Sequence, residues 1–188
     1  TAFALSLAAV ILSVFAVAGC AGRDGAREGT PSKAEPETGR EIPLMTVAQG
    51  VNSEYGRVGD IPMPEDAPPE CLVITEAEAL QRILSLSSLQ EPAGEVDFSR
   101  QVVFAAMLGP RNTGGHAISI MRVRQAGTEV LVELELVEPE PGGMTAQILT
   151  SPYHLVSAER DAFQPRGELT FAFVDQQDRL ISRQQAEL

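Results

Sequence analysis

Four residues separate Gly109 from Gly114 in LGPRNTGGH, the glycine spacing of a phosphate-binding loop. Such a loop continues with Lys, which reaches the β- and γ-phosphates, and then Ser or Thr, whose hydroxyl binds Mg²⁺. Here Gly115 and His116 hold those places, and the next residues, AISIMRV, have strand character where a phosphate loop would open a helix. Phosphate chemistry is not expected. The other residue types able to do chemistry are sparse. His116 and His154 are the two histidines, and Ser151 precedes the second by three residues. A triad of Ser151, His154 and a carboxylate conflicts with a strand starting at 153, because residues three apart on a strand face opposite sides. His-Glu-x-x-His, Gly-x-Ser-x-Gly and Cys/His ligand clusters are all missing from the sequence. Glu129, Glu133 and Glu135 lie along one face of a strand, where solvation explains them without Ca²⁺. No metal, cofactor or catalytic residue is expected, and the chain is not expected to be an enzyme. The competing reading is a small-ligand carrier or hydrolase. It needs a pocket that places His116 or His154 beside a carboxylate or serine.

Cysteine chemistry points elsewhere. Residues 1–19 carry no charge and end in Val17-Ala18-Gly19 before Cys20, a pattern similar to a bacterial lipobox. An apolar core closing on small residues is the form of a cleaved export signal. In a lipoprotein the Cys20 thiol would receive diacylglycerol, the chain would be cut before it, and the new amino terminus would be acylated, commonly with palmitate. Several acyl chains hold a membrane stably where one is marginal. A plain transmembrane anchor is the competing reading. The sequence shows no initiator Met and no basic segment before the apolar run, so the chain's start is expected further upstream. Ala21 rather than Asp after Cys20 fits sorting to an outer membrane where the host has one, and otherwise to the outer face of the cytoplasmic membrane. Cys71 is then left alone, in the apolar run CLVI, and is expected to be a buried thiol.

The elements that must position the rest follow from periodicity and composition. Residues 20–41 are rich in Gly, Pro and charge, cannot bury enough apolar surface to order themselves, and read as a tether. Residues 42–188 form one domain of ordinary size. Strands are expected at 44–51, 72–74, 101–108, 118–124, 128–137, 144–150, 153–159 and 168–175, with 125–127 as a hairpin loop. The continuous apolar run QVVFAAML reads as a strand buried on both faces. Thr75 and Glu78 have the spacing of a capping box, and Leu80, Ile83 and Leu84 share a face, so a helix is expected over 76–86. The fold class is α+β and mainly antiparallel: a sandwich or open barrel with one or two helices. A formal net charge of −12 argues against a nucleic-acid partner, which would require Lys and Arg clusters.

Three blocks carry a resemblance. Val96-Asp97-Phe98-Ser99 precedes the apolar strand; Thr113-Gly114-Gly115 is followed by Ile118 and Ile120; and Pro139 to Gly143 leads into Ala146-Gln147-Ile148-Leu149-Thr150-Ser151-Pro152-Tyr153-His154. In order and spacing these resemble the PrcB family, most specifically over 96–158. The chain departs from the family's usual pattern at His116, where an aromatic is common, at Gly143, where Cys is common, and in having no Trp. The resemblance implies a non-catalytic, lipid-anchored envelope protein with an envelope protease or another surface protein as partner. Gly114 and Gly115 are expected to adopt positive φ at the end of a central strand. Arg111, Thr113, Gly114, Gly115 and His116, with Ser151, Pro152 and Tyr153, are expected to form one partner-binding surface.

Overall fold

The computed structural model describes residues 39–56, 63, 64, 67–85, 87, 89 and 96–188. The expected signal, Cys20 and most of the tether lie outside them. Nine strands are named among the described residues: β1 Arg40–Ile42, β2 Met45–Gly50, β3 Glu70–Ile74, β4 Gln101–Met107, β5 Ala117–Ala126, β6 Glu129–Val137, β7 Tyr153–Glu159, β8 Glu168–Val174 and β9 Leu180–Glu187, with one α-helix, α1 Ala77–Ser85. No described helix is long and apolar enough to cross a membrane.

The strands form two sheets, ordered β1-β5-β6-β8-β9 and β2-β7-β4-β3. Every pair is antiparallel except β6 with β8. That parallel pair arises because the chain leaves β6, crosses to the second sheet to make β7, and returns to lay β8 alongside β6. The result is an α+β sandwich, as the strand pattern indicated.

β4 sits inside its sheet between β7 and β3 and is buried on both faces. Val102, Phe104 and Ala106 join the core between the sheets, where Phe163, Leu169, Phe171 and Phe173 meet them. Val103, Ala105 and Met107 face the other way, onto Leu80, Ile83 and Leu84 of α1. The helix therefore covers the outer face of the four-stranded sheet and dries it, which is why β4 has no polar alternation.

Three boundaries differ from the sequence reading. Arg40 and Glu41, assigned to the tether, pair with β5, and only Ile42 of that strand is buried. So short an edge strand has no apolar run for composition to detect. Residues 144–150 do not form the expected strand; among them only Thr150 makes a β-bridge, with Arg111. β9 has no counterpart among the expected strands. Its sequence LISRQQAE is mostly polar, and it forms because β8 offers an open edge.

Both seams of the sandwich are closed by side chains bonding to backbone. At one seam Gln184 of β9 accepts the Val73 N–H (3.1 Å) and donates to the Cys71 carbonyl of β3, as a neighbouring strand would. At the other, His154 of β7 accepts the Ile120 N–H of β5.

Candidate functional site

The topology dictates which loops meet. β4 and β7 are antiparallel neighbours, with Met107 opposite Tyr153. β5 and β6 are likewise paired, with Ala117 opposite Val137. The crossing from β4 to β5 and the crossing from β6 to β7 therefore leave the same end of the sandwich side by side. Hydrogen bonds join them: Arg111 N–H to Thr150 O and Thr150 N–H to Arg111 O, both 2.8 Å, Gly114 N–H to Ala146 O at 2.9 Å, and the Thr150 hydroxyl to Thr113 O at 3.1 Å. The two segments singled out from sequence are in contact.

Their residues do not all share one role. Ser151 and Pro152 are buried and cannot touch a partner, which corrects that part of the expected surface. The Ser151 hydroxyl donates to Tyr55 O (2.9 Å) and meets the Ser53 hydroxyl at 2.9 Å; Pro152 O accepts the Leu108 N–H. Both tie β7's entry to the loops beside it. Tyr153 is half-buried, with its ring over Gly50, where a Cβ would come within 2.9 Å of the ring. Gly50 is therefore needed for close approach. Of the glycine pair, Gly115 alone has positive φ, at +90°, against Pro139. Gly114 does not, contrary to expectation, and its open side faces Ala146 and Ile148.

Exposed apolar side chains gather on the β6–β7 connection. Met144 is fully exposed, Ile148 and Leu149 are about half exposed, and Val137 at the end of β6 and Val51 past β2 add to them. Sequence reasoning missed these residues because Met144–Thr150 looked like a strand. The signal was present in Pro139, Pro141, Gly142 and Gly143, whose density favours a long irregular loop. On the other flank Arg111 and His116 line a groove of about 400 Å³ with Pro68, Pro69, Glu138 and Arg179.

The imagined triad does not assemble. His154 is buried; its Nδ1 accepts the Ile120 N–H at 2.9 Å, and its Nε2 lies 3.2 Å from the Thr46 hydroxyl. Neither bond involves Ser151, whose partners lie on the Ser53–Tyr55 segment. Burial pushes the His154 pKa below its usual value, so the ring is neutral at pH 7. Among the described residues no cluster of three or more acidic, His or Cys side chains could hold a metal.

Cys71 lies in the core between the sheets, 2 % exposed. Burial pushes its thiol up to about 12, so the reactive thiolate is scarce at neutral pH. In the native chain at pH 8, Cys71 is expected to alkylate at least about a thousandfold more slowly than in urea, followed by peptide mass spectrometry. Equal rates would show that the thiol is accessible.

The blocks that carry the resemblance have structural tasks. Asp97 accepts the Ser99 N–H (3.0 Å) and hydroxyl (2.6 Å), a turn that launches β4. The Thr-Gly-Gly turn and the Thr150–His154 run pin the two crossings together. No curated protein and no solved structure matches the chain. Residues 102–159, from β4 through the β5–β6 hairpin to β7, match the family model described as PrcB C-terminal, and over this stretch the chain is PrcB-like.

Proposed function

We propose that this chain is a lipid-anchored envelope protein that binds another protein and transforms no substrate, acting as an accessory subunit of a surface protease complex. The family match over 102–159 carries the reading. The exposed apolar side chains Met144, Ile148 and Leu149, beside the Gly114–Gly115 turn, support it, since loops on a rigid sheet are favoured binding positions. In this reading Arg111, Thr113, Gly114, Gly115, His116 and Tyr153 frame that surface, and Ser151 and Pro152 hold its base. The membrane attachment rests on the Val17–Cys20 pattern.

Crosslinking in intact cells of the native host, with mass spectrometry of the products, tests this. A protease is expected among the reproducible partners. Met144→Glu together with Ile148→Glu is expected to reduce its recovery at least about tenfold without changing the melting temperature, because both side chains are exposed. Cys20→Ser is expected to move the chain out of the membrane fraction. Recovery of no protease, or an undiminished yield from the double variant, would overturn the reading.

A small-ligand reading is favoured by one observation: His116 and Glu138 line the same groove with Arg111. In that case His116→Ala would abolish an activity or ligand response that the Met144/Ile148 variant leaves intact.

A further inference from the structure

His154 lies where the two sheets meet at the root of both crossings. β1 covers β5 only from Val123 to Gln125, so the outer edge of β5 before Val123 has no strand partner among the described residues. Side chains of the other sheet serve that edge: the Ile120 N–H is bonded to His154 Nδ1 at 2.9 Å, and the Ser119 hydroxyl accepts from Gln49 Nε2 at 3.1 Å. A neutral imidazole that accepts at Nδ1 carries its proton on Nε2, so Nε2–H donates to the Thr46 hydroxyl at 3.2 Å. The ring thus joins β7, β5 and β2. Irregularities in register sit at both contacts, between Thr46 and Ala48 of β2 and between Ile120 and Arg122 of β5, and such bulges re-aim backbone groups and side chains.

We infer that His154 is an acid-released latch: neutral, it bonds β5 to β7 and β2, and protonated, it lets the Ile120 edge of the seam go. The chemistry is a simple exclusion. A second proton can only enter at Nδ1, the atom that accepts the Ile120 N–H, and two N–H groups then confront each other in a buried place. Among the described residues no charge near the ring offsets this. β2 presents Thr46 and Gln49, β4 presents Ala106 opposite His154, and β5 presents Ser119 and Ile120, all uncharged. The nearest charges along β5, Arg122 and Arg124, pair with Glu133 of β6. Burial lowers the folded-state pKa below the unfolded value near 6.5. The stabilisation is therefore complete above pH 6.5, declines as the pH falls below it, and is gone once the pH passes the lowered folded value.

Amide exchange of the full chain between pH 8 and 5, corrected for the intrinsic pH dependence of exchange, reads the latch. The Ile120 amide is expected to lose protection by at least about tenfold over this range, the decline starting near pH 6.5 and levelling off at the pH where the folded His154 ring titrates by NMR, while β8–β9 amides keep theirs. His154→Asn offers an acceptor that does not titrate and is expected to flatten the profile. His116→Gln removes the other histidine and is expected to leave the profile unchanged. Ile120 protection independent of pH, or a drop that survives in His154→Asn, would overturn the latch. If the asparagine variant does not fold, the wild-type comparison decides: Ile120 protection that holds steady down to the ring's titration, or that keeps falling well below it, refutes the latch.

Discussion

Replacing Phe104 with alanine is expected to lower the unfolding free energy by about 3–5 kcal/mol. Phe104 is fully buried in a strand that has a core on each side. Its ring lies 5.7 Å from that of Phe171 and 6.4 Å from that of Phe163, and those two are 6.4 Å from each other. The three come from β4, β8 and the turn after β7, so the cluster joins both sheets and the connection between them. Removing the β4 ring leaves a cavity bounded by backbone already fixed in two sheets, which cannot close over it, and also deletes two tilted aromatic contacts. Equilibrium urea denaturation measures the loss. A change below about 1 kcal/mol would mean that the inter-sheet core repacks freely, contrary to dense packing.

Arg160→Ala is expected to cost about 2–4 kcal/mol, although Arg160 is a charged residue in a turn. Its Nε donates to Phe98 O (3.1 Å) and Gln101 O (3.2 Å), and its Nη2 donates to Thr75 O (2.7 Å). Its own N–H bonds Arg100 O at 2.7 Å. One guanidinium therefore fastens the entry to the α1 region and the turn before β4 to the end of β7. Three carbonyls lose a donor together when it is removed. Lysine offers a single ammonium in place of a planar fork and cannot reach three separated acceptors, so Arg160→Lys is expected to recover less than half of the loss. Denaturation of both variants checks this, and a lysine variant as stable as the parent would reduce the fork to a simple charge effect.

Legibility followed burial. β4, β6 and β8 could be read because their apolar residues repeat along one face or fill both, and the same burial that creates such a pattern is what the fold uses. Leu80, Ile83 and Leu84 announced α1 for the same reason. Met144–Leu149 misled because its apolar residues are spaced as in a strand yet are exposed on a loop. β9 stayed hidden because its stability comes from β8's open edge and from Gln184, neither of which leaves a local apolar signature. Ser151 and Pro152 looked like surface residues, being polar and turn-forming. The Ser151 hydroxyl is satisfied in its buried place by Ser53 and Tyr55, roughly a hundred residues away along the chain.

By itself, the sequence determined the β-rich class and the two-faced burial of β4, and it carried the three blocks that resemble PrcB. Periodicity and composition suffice for the class and for β4. Only the tertiary structure decided which strands share a sheet, that β6 and β8 run parallel, that Gly115 but not Gly114 takes a positive φ, and that His154 bonds the Ile120 amide rather than a serine. Each of those depends on contacts between residues far apart in the chain, where the free energy is set by which edges and faces are left open once the local elements have formed.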